Sequence, residues 1–114
     1  MAVTIAASWY FLLSTALFGV GLFGILTQRS GIRILMCVEM LLNAANINFV
    51  AFGSQFVGDP TRVPATASPY SGFVYAFFII AIAAAEAAVG LAIFVNLYRV
   101  RQTIDLDQVT SLKG

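Results

Sequence analysis

The sequence predicts an all-α integral membrane protein of three transmembrane helices, N-terminus lumenal and C-terminus cytoplasmic or stromal. Three observations predict it. Of the 114 residues, 61% are hydrophobic and only 10% charged, whereas a soluble domain carries about a quarter charged residues. The apolar residues gather into three runs, each long enough to cross about 30 Å of hydrocarbon with roughly 20 helical residues. The basic residues are divided unequally between the two sides that three spans define.

The first run covers about 9–27 and carries no charge. The second, about 34–56, is interrupted only by Glu39, and the third, about 71–98, only by Glu86. Each reads as a helix, because backbone groups in lipid must find their partners within the segment. A secretory signal is a poor reading of the first run, which has no basic residues before it and is longer than a signal core. The chain 1–114 reads as a single membrane domain.

The connections differ in character. Gln28-Arg29-Ser30-Gly31 makes a tight basic turn, while the loop 57–70 holds all three prolines, Pro60, Pro64 and Pro69. Proline removes a backbone donor and stops a helix. Ser68-Pro69 has the form of an N-cap and first-turn pair opening the third helix. Arg29, Arg33, Arg99, Arg101 and Lys113 fall on one side of the membrane and only Arg62 on the other. The richer side, holding the first turn and the tail 99–114, is therefore the cytoplasmic or stromal one. Trp9, Tyr10, Tyr70 and Tyr75 near one interface and Tyr98 near the other agree with it.

Composition excludes several functions. A net charge of +1 with no basic patch gives nucleic acid no footprint. One cysteine, Cys37, and no histidine exclude a disulfide framework, an iron–sulfur cluster and any His-based haem or zinc site built by this chain alone. If the chain serves a redox machine, it does not carry the electrons. Cys37 reads as helix packing.

The chemistry lies in Glu39 and Glu86. A charged side chain at mid-membrane costs about 3 kcal/mol even on the lenient insertion scale, so intramembrane carboxyls mark ion or proton pathways. The bland alternative is a neutral carboxyl that only glues helices. Two carboxyls on adjacent spans, with no intramembrane Lys or His to pair them, favour the pathway. Counted inward from the cytoplasmic ends of the spans, Glu39 lies at roughly 8–10 Å and Glu86 at roughly 18 Å. That difference in depth calls for water or partner side chains to bridge them. Asn43 and Asn46 follow Glu39 on one helical face, with Asn48 opposite. For Asn46 and Asn48 the favoured role is interhelical hydrogen bonding, and for Asn43 either role stands. Arg29 and Arg33 read first as topology signals and second as tuning groups near a proton entry at Glu39. The small residues flanking Glu86 let other helices approach closely, and the Gly19, Gly21 and Gly24 series does the same more weakly. Three helices cannot cover such surfaces, so a larger assembly is expected. The tail, alternating Ile104, Leu106 and Val109 with Asp105 and Asp107, either docks extended on a partner or ends in solvent.

Two segments carry a resemblance. Ile34-Leu-Met-Cys-Val-Glu39-Met-Leu-Leu-Asn43-Ala-Ala-Asn-Ile-Asn48-Phe-Val resembles the second helix of the complex I subunit called 4L or K. Ala81-Ile-Ala-Ala-Ala-Glu86-Ala-Ala-Val-Gly90-Leu-Ala resembles its third, and the stretch 99–114 resembles its tail. Details of the first segment are similar to the cyanobacterial and chloroplast branch, the NdhE type of NAD(P)H-quinone oxidoreductase subunit 4L. The resemblance implies a non-redox place in the membrane arm of a photosynthetic NDH-1 complex in the thylakoid membrane, which reduces plastoquinone and translocates protons. It implies neighbours of the chain-6 (J-type) and chain-2 (N-type, antiporter-like) kinds in the lipid bilayer. Iron–sulfur clusters and plastoquinone would then lie on other subunits, with no cofactor on this chain. The family's two proton-path glutamates map onto Glu39 and Glu86. Its loop arginines map onto Arg29 and Arg33, which are not adjacent here as they are in many bacterial members.

Other classes compete. A small subunit of a multi-chain cation/proton antiporter is related, but the Asn-Ile-Asn-Phe-Val and Ala-Ala-Ala-Glu details argue against it. Small exporters and rotary-ring subunits have four or two spans and one essential carboxyl, so the second Glu argues against both. A purely structural spacer uses the same residues as a conductor and stays open.

Overall fold

In the computed structural model, which describes residues 5–109, the chain is a row of three helices with α2 in the middle. Helix α1 spans Ala7–Thr27, α2 Gly31–Gly58 and α3 Ser71–Arg101. All three are long and apolar enough to cross a membrane. Strands are absent among the described residues, and short 3-10 turns occupy Pro60–Arg62 and Leu106–Gln108. The molecule measures 60 × 26 × 26 Å.

Helix α2 packs against α1 on one face and α3 on the other, while α1 and α3 share no comparable interface among the described residues. Glycine decides where the helices touch. On the α1 side, a Cβ at Gly21 would come within 2.9 Å of Leu41 Cδ2 and 3.0 Å of Cys37 O, and Gly24 faces the Cys37 sulfur. Two of the three α1 glycines are thus used within the chain, and only Gly19 opens on empty space. On the α3 side, a Cβ at Gly72 would lie 2.7 Å from Gly53 Cα and 2.5 Å from Phe49 O. There the two backbones meet directly, as small residues in membrane helices permit. Buried Ser14 adds one polar tie, donating from Oγ to Ala44 O at 2.8 Å.

The core is slight. Among the described residues, Ala44, Ala51 and Ala76 are its buried hydrophobic side chains, and no large side chain is fully enclosed. Large apolar groups point outward along every helix, Leu26 and Phe77 each 76% exposed. Lipid tails are as apolar as these side chains, so nothing drives them into a common interior.

The third helix does not open on Ser68-Pro69 as its capping pattern suggests. Ser68 Oγ accepts from Tyr70 N at 3.2 Å and Ser68 O from Ser71 N at 3.1 Å. The pair closes a turn, and α3 starts only after it, at Ser71. At the other end α3 runs to Arg101 and stops at Gln102, whose φ of 57° reverses the chain.

That reversal sends the tail back over the α1–α2 turn. Gly31 N donates to Ile104 O at 2.9 Å and Leu106 N to Arg29 O at 3.1 Å. Ser30 and Asp105 thereby form an antiparallel bridge. Residues 103–105 dock extended on the chain's own turn, and Leu106–Gln108 continue as an exposed 3-10 turn. Lys113 and the rest of the end lie outside the described residues.

Candidate carboxyl pair and its surroundings

The antiparallel α2–α3 pair has a constant register. Gly31 faces the ring of Phe94, Leu35 closes on Gly90, and Gly53 meets Gly72. Phe49 and Tyr75 sit ring to ring, centroids 5.8 Å apart. From the Leu35–Gly90 contact, four residues along α2 reach Glu39, and four back along α3 reach Glu86. One helical turn advances both chains by about 5.4 Å, so the two glutamates lie at the same level. The unequal depths expected from the sequence are corrected by this register. Helix α3 projects beyond the start of α2, as Phe94 opposite Gly31 requires, so distances counted from the two helix ends have different origins.

The chain's own fold does not bury these carboxyls. Glu86 is exposed and Glu39 half-buried. Neither has a hydrogen-bond or ion-pair partner among the described residues. The physical reason is the row architecture: α3 packs closely against α2 alone, so Glu86 has no further helix beside it. In α3, Ala83, Ala87 and Gly90 turn partly inward, while Ala84, Ala85 and Ala88 stay exposed beside Glu86. A smooth, small-residue surface therefore surrounds the carboxyl.

Beyond Glu39, exposed Asn43 and half-buried Asn46 border an open groove of about 520 Å³, which Tyr10, Val50 and Ser54 also line. The amide oxygens of Asn46 and Asn48 are buried and have no hydrogen-bond partner. The interhelical hydrogen bonds favoured for these two residues are thus not made by their oxygens within the chain. A buried amide oxygen without a donor costs about 1–3 kcal/mol.

At the turn end of α2, Arg29 Nε pairs with Asp107 Oδ2 at 3.2 Å, and Arg33 donates to Gln28 Oε1 at 3.3 Å. These four residues are close in space. The two arginines lie above the carboxyl level, since about 12 Å of helix separates Gly31 from Glu39. The role of Asp105 and Asp107 was not foreseen. Their alternation with Ile104 and Leu106, typical of an extended segment, was the available signal. Among the described residues no group of His, Cys, Asp and Glu is placed to hold a metal ion.

Comparison with known proteins agrees with this architecture. The model of the family NADH-ubiquinone/plastoquinone oxidoreductase chain 4L matches residues 9–114. The chain belongs to the chain 4L family. A chloroplast NAD(P)H-quinone oxidoreductase subunit 4L from Mesostigma viride is 48% identical over 105 residues, covering 92% of this chain and 95% of its own length. NADH-quinone oxidoreductase subunit K of Bacillus anthracis is 46% identical over 97% of this chain and 98% of its own. Subunit 4L of the Paulinella chromatophora chromatophore is 43% identical over 96% and 98%. The match to chain 4L thus takes in α1, the tail clasp and both carboxyl-bearing helices.

Proposed function

We propose that this chain 4L member is a non-redox membrane-arm subunit of a photosynthetic, complex I-like plastoquinone reductase, and that Glu39 and Glu86 pass protons laterally through it. The observation that carries the reading is the pairing of levels. Two carboxyls in otherwise uncharged spans stand at one height, without partners among the described residues. A carboxyl in such surroundings exchanges its proton when a neighbouring charge changes. Quinone chemistry elsewhere in the complex would supply that change.

The flanking surfaces support a place between two other membrane subunits. Exposed alanines border Glu86 on α3, and an open groove lined by Asn43 and Asn46 lies further along α2 from Glu39. Neighbours of the J and N types would cover these two surfaces. The chloroplast and chromatophore relatives support a thylakoid membrane, with the N-terminus lumenal and the arginine-rich turn cytoplasmic or stromal. Supporting roles fall to Asn43 beside Glu39 and to Arg29 and Arg33 at the proton entry. The quinone oxidoreductase names of the relatives favour this reading over a subunit of a cation/proton antiporter.

The test is substitution within the assembled complex. Glutamine keeps the shape and hydrogen bonding of glutamate but cannot ionise. Glu39→Gln and Glu86→Gln should leave complex abundance unchanged and lower plastoquinone reduction and proton uptake together. Normal pumping by both variants would make the carboxyls packing groups and the subunit a structural spacer.

A further inference from the structure

Helix α2 begins in an electrostatically poor setting. The N-terminus of a helix carries partial positive charge and favours anions. Yet Ser30 makes no side-chain cap, the first turn holds no acidic residue, and Arg29 and Arg33 stand on either side of it. The acid comes from the far end of the chain. The clasp sets Asp105 opposite Ser30 and brings the Asp107 carboxylate to Arg29. Gly31 is held twice, its N–H by Ile104 O and its Cα side by the Phe94 ring. The start of α2 is therefore fixed against α3 and against the tail at one point, and Glu39 lies two turns further along the same helix.

We propose that Asp107 is a positioning residue: carried to Arg29 by the backbone clasp, it supplies the anion that this helix end lacks and so sets proton exchange at Glu39. The proposal rests on the proton-carrying reading above. With Asp107 in place the Arg29 charge is neutralised, and Arg33 is the cation left to act on protons arriving at α2. Without it, two uncompensated arginines crowd a helix N-terminus and raise the barrier to a proton reaching Glu39. Both side chains of the pair are well exposed, at 76% and 66%. The ion pair is therefore a trim on a backbone clasp, and its loss should alter coupling before it alters folding.

The experiment uses the whole complex in native membranes. Initial rates of proton uptake at equal complex content are measured for Asp107→Asn, the exchange Arg29→Asp with Asp107→Arg, and Glu39→Gln. Asp107→Asn should keep abundance and lower the rate by about threefold, the scale of an exposed ion pair, and the exchange should restore it. A rate lowered in Glu39→Gln but unchanged in Asp107→Asn overturns this proposal alone. A rate unchanged in Glu39→Gln overturns the carboxyl reading and this proposal with it. A rate lowered in Asp107→Asn and not restored by the exchange also overturns it, since the two residues then act separately. If Asp107→Asn fails to assemble, Asp107→Glu, which keeps the charge, decides. Assembly with uptake near the unsubstituted rate supports the proposal, and a low rate or failed assembly overturns it.

Discussion

Glu39 of α2 and Glu86 of α3 stand level with each other, each one turn from the contact of Leu35 with Gly90. The level is fixed by packing. Between the Gly31–Phe94 and Gly53–Gly72 contacts the two helices keep one register, and the carboxyls fall inside that stretch. A lateral proton path needs stations at a common depth, because transfer between depths works with or against the membrane field. One unit charge moved across the whole bilayer corresponds to about 2.3 kcal/mol per 100 mV. Stations at one level avoid that term.

If the two carboxyls serve one path, their losses should not add. Glu39→Gln and Glu86→Gln should each lower coupled proton uptake by about tenfold, equivalent to about 1.4 kcal/mol of barrier. The double variant should be no worse than the poorer single one. Aspartate at either position keeps an ionisable group with a shorter reach, so it should retain more uptake than glutamine. Additive losses, measured as initial rates of proton uptake in membranes of equal complex content, would mean two independent routes.

The Gly53–Gly72 crossing should be the least tolerant point of the fold. A Cβ on Gly72 would meet Phe49 O at 2.5 Å and Gly53 Cα at 2.7 Å, both backbone atoms that cannot swing aside. Gly72→Val should cost at least the 1–3 kcal/mol of an overpacked site and lower the amount of assembled complex. Gly19→Ala has no atom within 4 Å to meet. It should change the isolated chain's stability by less than about 0.5 kcal/mol. Loss of complex from Gly19→Ala, read by native gel, would mark Gly19 as a contact with another subunit.

The three spans were legible because hydropathy alone separates apolar runs from the turn at Arg29 and the Pro-rich loop. The identity of the carboxyls was legible too, since Glu39 and Glu86 are the acids inside those runs. Their common level was not. It depends on how far α3 projects past the start of α2, a quantity set by Phe94 against Gly31 and by nothing in either helix alone. The docking of the tail was equally hidden. Asp107 finds Arg29 across 78 residues of sequence, and only the reversal at Gln102 brings them together. The side on which Glu86 stands was hidden for a related reason: only the packing of α3 on α2 shows that it faces away from the chain's own helices.

Ser14 offers a small, separable effect. Its hydroxyl donates to Ala44 O, a carbonyl placed within α2, and is buried between the helices. Ser14→Ala removes the donor and leaves no buried polar group behind on α1. Membrane interhelical hydrogen bonds average about 0.6 kcal/mol, so the loss should be near that value. Thermal inactivation of the complex in mild detergent would measure it. A loss several times larger would show that Ser14 does more than tie α1 to α2.

The register itself can be tested by disulfide trapping, and the carboxyl argument stands or falls with it. Cys37 is first replaced by alanine to leave no native thiol. Leu35→Cys with Gly90→Cys should then cross-link on mild oxidation, since the Leu35 side chain reaches to 2.9 Å from where a Cβ on Gly90 would be. Leu35→Cys with Leu97→Cys, two turns away along α3, should not, because about 10 Å of helix rise separates the two α3 positions. Cross-linking by the first pair alone fixes Glu39 and Glu86 at one level in the membrane. Cross-linking by the second pair alone would slide α3 by two turns, part the carboxyls by about that distance, and return the bridging role to water or to side chains of other subunits.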